Sequence, residues 1–459
     1  MQKMDPTQKA TLSVVIVTSF MTTFIGSALN LSIPAIGGDF QTSAVLTGWI
    51  ITGYMLAAAA LSVPFGRLAD MTGRRRIMIS GILFFALSSG LCAISWSIWL
   101  LLLFRVLQGI AAAMIFSTSI AVLISAFPPE KRGVVLGLSV SATYIGLTTG
   151  PVVGGILNHY MGWRSIFAFT FIMGAAIFLL SIRRLEGGEI AGTDEKPDIA
   201  GNLLYIAMVT SLMFGLSAFS SLSAARWLVP LGVLLFIVFI YHELKVSDPI
   251  IEVRLFYHNP AYLLSNLAAL LNYGATFALG YLLSIYLQLI LGYDSQTAGL
   301  ILICQPLLMA LLSPIAGRLS DAIAPYKLAS FGMGLTSLGL AAFIFISASY
   351  PLWLIIVSLL VIGVGFAFFS SPNTNAVMSC VEKKDYGVAS SILSTMRSLG
   401  HTSSMAAVTL IMAARMGTAT FEEAGADRLL DMMRVSFIFF AALCLIGVFF
   451  SLKRKSANS

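Results

Sequence analysis

The chain has 459 residues, of which 58% are hydrophobic and only 10% charged, where an ordinary soluble domain carries roughly a quarter charged residues. So little charge cannot clothe a water-exposed surface, which excludes a soluble enzyme or a soluble binding module. The formal net charge of +7 does not point to nucleic acid, because the Lys and Arg residues fall in short clusters between apolar runs and form no single patch.

Apolar runs of about 20 residues recur along the whole length, each long enough at about 1.5 Å per residue to cross a hydrocarbon core of about 30 Å. The runs are continuous, not alternating, so helices and not a β-barrel satisfy their backbone groups in lipid. In chain order the spacing predicts fourteen spans, near residues 12–34, 46–69, 77–95, 98–126, 133–157, 163–183, 199–219, 225–244, 261–291, 297–321, 327–348, 352–378, 386–414 and 433–452. The first run lacks a small-residue cleavage site and outlasts a signal-peptide core, so it is read as an uncleaved span. Cys92, Cys304, Cys380 and Cys444 show no CxxC spacing, so neither a disulfide framework, a metal site nor a cofactor is expected.

Cytoplasmic loops carry an excess of Lys and Arg. With the amino terminus inside, 20 of the 27 basic residues collect on the cytoplasmic side and 5 on the other, while Arg105 and Arg397 stay within spans. All 20 acidic residues fall in loops or at helix ends, so no carboxylate is expected at mid-membrane. The reading is a multi-pass protein of the cell membrane with both termini cytoplasmic. Its expected partners are the lipid bilayer and a small-molecule substrate, with no nucleic acid, and it is expected to act as a monomer.

The halves carry an internal repeat: Pro64-Phe65-Gly66-Arg67-Leu68-Ala69-Asp70 returns as Pro314-Ile315-Ala316-Gly317-Arg318-Leu319-Ser320-Asp321. Secondary transporters are commonly built from such repeats, with the substrate site between them near the midplane. Six spans in each half leave two over, near 199–219 and 225–244, as an insert. This divides the chain into an N-terminal six-helix bundle at 1–185, a linker with two additional spans at 186–258 and a C-terminal six-helix bundle at 259–459.

Three strings carry a resemblance to a known family. The first runs from Gly66, Arg67 and Asp70 through Gly73, Arg74 and Arg75, a carboxylate and a basic cluster on a Gly-bearing turn. The second, Arg105-Val106-Leu107-Gln108-Gly109, puts Arg105 and Gln108 on one helix face inside a span. The third runs Gly146-Leu147-Thr148-Thr149-Gly150-Pro151-Val152-Val153-Gly154-Gly155, where small residues four apart admit a close neighbour and Pro151 frees a backbone carbonyl. Together they resemble the major facilitator superfamily, and its fourteen-span drug:proton antiporter branch in particular. The resemblance implies an all-α polytopic fold, alternating access and proton-coupled efflux of lipophilic small molecules. It also implies a conformational gate at Gly66, Arg67, Asp70, Gly73, Arg74 and Arg75, repeated at Gly317, Arg318 and Asp321. One departure stands out: where members of that branch carry Asp in the first helix, this chain has Ile25.

The ionisable groups at membrane depth, Arg105, Arg397 and His401, are functional candidates by default. Proton coupling is expected through His401, which lies four residues after Arg397, or through competition of substrate and proton near Arg105 and Gln108; a hydrogen-bonded core histidine is the alternative reading of His401. By analogy with the family, the first, fourth, ninth and twelfth spans line the cavity. The candidate lining residues are Asn30, Tyr54, Tyr144, Asn272, Tyr281, Gln288, Gln305, Phe366, Phe369 and Asn373, with Phe368 and Asn375 beside them. Two arginines and no acid suit neutral or anionic cargo better than a bare cation. The sequence has no HExxH and no phosphate-binding loop, which argues against an enzyme and against nucleotide-driven transport. The remaining alternative is an exporter or facilitator of an organic anion, a lipid-like compound or a metabolite.

Overall fold

The computed structural model describes residues 5–127, 129–185, 198–219, 222–247, 249–251, 253–381, 386–417 and 419–457, and the regular structure of these residues is helical. The first helices are α1 (Pro6–Ala28), α2 (Ile33–Phe40), α3 (Ala44–Thr72), α4 (Arg74–Ala93), α5 (Ile98–Ala126), α6 (Pro129–Met161) and α7 (Arg164–Arg184). A hairpin of α8 (Ile199–Ser217) and α9 (Ala225–Glu243) follows, then the short α10 (Val253–His258). The remainder is α11 (Pro260–Thr276), α12 (Leu279–Ile285), α13 (Ser295–Leu302), α14 (Cys304–Ala322), α15 (Pro325–Ala342), α16 (Leu352–Ser379), α17 (Tyr386–Met416) and α18 (Phe421–Ala457).

Helix starts carry their own signals. Ser43 accepts from the Leu46 N–H at 3.2 Å, Asn259 from the Tyr262 N–H at 3.0 Å and Asp294 from the Thr297 N–H at 2.7 Å, each supplying a partner to a donor that the first turn leaves free. Proline opens α11 and α15, where a missing N–H costs nothing. At Gly73 φ is 106°, a backbone geometry that disfavours any side chain, and it lets the chain turn from α3 straight into α4.

Among the described residues, twelve helical segments are long and apolar enough to cross a membrane, not the fourteen expected from the sequence. Expected spans 133–157 and 386–414 are the two that drop out. Both are long helices, 33 residues in α6 and 31 in α17; several side chains in the first part of each lie outside the described residues, and α17 also carries Arg397, His401 and a series of Ser and Thr, which lowers its apolarity.

Helices α1 to α7 pack on one another, as do α11 to α18, and α8 lies against both α3 and α17. The ends of the helices sort into two faces. On one, Gln8 donates to the Ala126 carbonyl and Arg75 to the Leu185 carbonyl at 2.5 Å. On the other, Arg164 joins Asp39 at 2.7 Å and the Ser95 carbonyl at 3.2 Å. The first is called the N-terminal face below.

The two groups of helices meet through α3 with α17 and α6 with α13. Several of the helices that meet across this seam are broken along their length: the α1 run by a 3-10 turn at Leu29–Ser32, the α11–α12 run at Phe277 and by a π-helical turn at Tyr286–Ile290, and the α13–α14 run at Ile303. Interrupted helices expose backbone groups for which hydrogen-bond partners must be found.

Candidate functional site

The antiporter-like string explains how α6 joins two neighbours at once. On its inner side, side-chain atoms added at Gly150 and Gly154 would fall 2.6 Å from Ser27 Cβ and 2.5 Å from Ala28 Cβ, so only glycine admits α1 this closely. Pro151 lacks the N–H that would hold the Leu147 carbonyl. Ser27 Oγ supplies it instead, at 3.1 Å, and Thr23 Oγ1 does the same for the Thr143 carbonyl at 3.2 Å. Gly146 admits Phe20 and Thr23 in the same way. Gly155 faces the other way, against the backbone of Ser295 on α13, whose hydroxyl donates to the Gly155 carbonyl at 3.1 Å.

Other bonds cross the seam near that end, toward the face opposite the N-terminal one. Ser284 donates to the Asn30 carbonyl at 2.6 Å, Gln288 to the Leu31 carbonyl at 3.0 Å and the Ala44 N–H to the Ala419 carbonyl at 3.1 Å, while the hydroxyls of Thr52 and Thr409 are 3.1 Å apart. Tyr281 is fully buried beside Gly48, its hydroxyl 3.5 Å from Met412 Sδ. Asn30, Tyr281 and Gln288 therefore help to close this half of the seam.

Arg105 lies elsewhere, inside the first group of helices, at 1% exposure. Its Nε donates to the Ile50 carbonyl at 2.9 Å, its Nη1 donates to Gln108 Oε1, and its guanidinium lies 4.2 Å from the centre of the Tyr54 ring. Gln108 passes the chain on to Ser89 Oγ at 2.7 Å. Gly109 lets α5 approach the α3 backbone at Tyr54, which brings the guanidinium within reach of Ile50. The motif thus braces α3, α4 and α5 against one another.

Arg397 and His401 sit at the seam. The His401 ring stacks on Phe277 at 4.3 Å and meets Tyr273 edge-on at 5.5 Å, and the Arg397 guanidinium lies 5.0 Å from the centre of the Tyr273 ring. Tyr273 Oη is 3.2 Å from Ser370 Oγ, which is 3.4 Å from Tyr144 Oη on α6 of the other group. Phe366 and Phe369 close the aromatic wall at 5.4 and 6.3 Å from Tyr273. Arg397, His401, Phe277 and Tyr144 are half-buried, and Arg397 Nε has no hydrogen-bond partner. A cation facing aromatic surface with a free donor can take an anionic or π-rich guest.

Of the remaining cavity candidates, Asn272 is fully buried with its Oδ1 toward Cys444 Sγ, and Asn373 Oδ1 accepts from Arg454 at 2.9 Å, so both brace α18 within the second group. Gln305 is half-buried on α14, and Asn375 donates to Ser320 Oγ at 3.0 Å. Sequence reasoning missed Tyr273, Phe277 and Ser370. The signal was available for the first two: Tyr273 on α11 and Phe277 at its C-terminal cap are four apart, as Arg397 and His401 are on α17.

The gate motif lies on the N-terminal face. Asp70 pairs with Arg74 at 2.7 Å, Arg75 docks the end of α7 through Leu185, Gly66 and Arg67 are half-buried, Gly317 faces Ser371 on α16 and Arg318 is exposed. The side chain of Asp321 lies outside the described residues.

Comparison with known proteins gives a consistent picture. The family model described as Major Facilitator Superfamily matches residues 15–261 and 266–459. The chain is 29% identical to a riboflavin transporter, RibZ, of Clostridioides difficile (strain 630) over 84% of either chain. It is 30% identical to multidrug resistance protein Stp of Mycobacterium tuberculosis (strain ATCC 25618 / H37Rv), over 91% of this chain and 78% of that one. Its fold superimposes with a TM-score of 0.71 on an inward-facing, unoccupied bacterial homolog of the human lysosomal transporter Spinster, at 14% identity and over 99% and 98% of the two chains.

Proposed function

This chain belongs to the major facilitator superfamily, and on that premise we propose that it is a secondary transporter that exports flat, lipophilic small molecules by alternating access with proton coupling. The observation that carries the reading is the seam cluster of Tyr144, Tyr273, Phe277, Phe366, Phe369, Arg397 and His401. It draws on α6 from one bundle and on α11, α16 and α17 from the other, so a rocking motion of the bundles would remodel it, and a guest bound there would bias that motion through its differential affinity for the two states. Gln305, half-buried on α14, is a further contact in this reading, whereas Phe368 turns to Phe331 on α15 at 6.0 Å and is left out of it. The relative named for riboflavin agrees with flat, aromatic cargo, and the one named for multidrug resistance agrees with small-molecule transport.

The same reading counts α6 and α17 as crossing the membrane, which makes fourteen spans with α8 and α9 as the added pair between bundles at 1–185 and 259–459. Both termini then face the cytoplasm, and the protein acts as a monomer in the cell membrane. The bonds from Asn30, Gln288 and Ser295 hold the outer end of the seam closed, and the loop from Gly66 to Arg75, with its copy at Gly317, Arg318 and Asp321, works as the inner gate. His401 is the proposed proton carrier; Arg105 and Gln108 are assigned to bracing.

A second reading, export of an organic anion, is favoured by one observation: Arg397 lies on a tyrosine face with an unpartnered Nε. Proteoliposome uptake under an imposed pH gradient tests both, with cationic, neutral and anionic dyes of similar size. Gradient-driven movement of the neutral and anionic dyes is expected, and movement of the cationic dye alone would sink both readings. Unchanged pH dependence in His401→Ala would remove His401 from the coupling step.

A further inference from the structure

The α8–α9 hairpin carries a polar cluster that plays no part in the seam. Asp198 is the residue before α8 and His242-Glu243 end α9, so the three meet where the hairpin opens on the N-terminal face. Asp198 and Glu243 are 8% and 2% exposed, which makes them two carboxylates with little water to solvate them.

His242 Nε2 lies 2.9 and 3.0 Å from the two Asp198 oxygens. One Glu243 oxygen, Oε2, accepts from the Ile251 N–H at 2.9 Å, while Oε1 has no partner. That free oxygen points into the space beside Asp198: a side-chain atom added at Gly201 would fall 2.7 Å from it and against Asp198 Oδ2 as well. One ligand atom from each residue, a nitrogen and two oxygens, all lie within 4.8 Å of one another. Among the described residues, Lys245 donates to the Tyr241 hydroxyl and Arg254 to the Leu244 carbonyl.

Two ionised carboxylates would give this pocket more negative charge than one imidazole can offset, an excess that burial makes costly. We infer that Asp198, His242 and Glu243 form a divalent transition-metal site that clasps the two ends of the α8–α9 hairpin. Ligands bound at about 2.0 to 2.2 Å sit roughly 3 Å apart around an ion, the spacing His242 and Asp198 already have. One imidazole and two carboxylates suit Zn²⁺ or Mn²⁺ better than Ca²⁺, which takes about six to eight oxygens. Three protein ligands leave a position for water. Because α8 packs on both α3 and α17, the clasp would stiffen a hairpin that touches both bundles.

Full-length protein, purified and stripped with chelator, is titrated with ZnCl2 by calorimetry and with MnCl2 by electron paramagnetic resonance. One saturable ion per chain is expected, with thermal unfolding raised by several degrees on Zn²⁺ addition. Glu243→Gln keeps the side-chain shape and is expected to weaken binding by about a hundredfold, whereas removing the exposed His159 (His159→Gln) leaves it unchanged. No saturable binding by the stripped wild-type protein would overturn the site in favour of a proton shared among the three residues. Undiminished binding in Glu243→Gln would overturn it equally. The readout is binding, so it is independent of any result on transport.

Discussion

Two arginines stand at membrane depth in this protein, and their surroundings differ in kind. Arg105 is sealed within one bundle, with a backbone carbonyl, an amide and an aromatic face all committed to it. Arg397 is half-buried at the seam between bundles, over one tyrosine ring, with a donor left free. A charged group enclosed and saturated is a brace, while one left unsaturated beside a moving interface is available to a guest. Residue type and depth are alike in the two cases, and only the completeness of the partners separates structure from recognition.

The contrast breaks most readily at Arg105. Arg105→Ala strips Gln108 and the Ile50 carbonyl of their donor and is expected to lower stability by about 2 to 4 kcal/mol, read as thermal unfolding in detergent. Arg105→Lys should recover only part of this, since an ammonium cannot span the two acceptors as a guanidinium does. A stable Arg105→Ala protein with abolished transport would reverse the assignments of the two arginines.

Neighbouring glycines sharpen the same contrast. Gly154 meets Ala28 within its own bundle, while Gly155 meets Ser295 across the seam. Gly154→Val is expected to cost about 1 to 3 kcal/mol of stability through overpacking. Gly155→Val should instead pry the outer seam apart and shift the conformational equilibrium by about tenfold, which cysteine accessibility on the two faces would read. Equal loss of stability in both would erase the distinction.

The smallest effect is expected at Ser27. Ser27→Ala leaves the Leu147 carbonyl, freed by Pro151, without its donor, at a cost of about 0.5 to 1.5 kcal/mol in thermal unfolding. No change would mean that water serves that carbonyl equally well.

Much of this was legible in the sequence. The apolar runs foretold a helical membrane protein, and the Gly, Pro and Arg strings led to the right superfamily because close helix contacts and buried charge restrict residue choice severely. The span at α17 reads as less apolar for the same reason that it matters: a seam-facing helix carries Ser, Thr, Arg and His. The cavity residues were harder to read. Asn272 and Tyr273 are adjacent in sequence yet face opposite ways, one into the second bundle and one toward the seam, and only the packing of α11 against α17 and α18 decides which is which. The Asp198, His242 and Glu243 cluster was out of reach, since its members are separated by a whole hairpin.

The most direct test concerns Arg397. Transport of a flat aromatic carboxylate and of its neutral methyl ester is compared in proteoliposomes containing the wild-type protein or Arg397→Gln. The account predicts that the preference for the carboxylate over the ester falls by about tenfold or more, the worth of one charge-assisted contact, while unfolding temperature hardly moves. An unchanged ratio in a well-folded variant would contradict it.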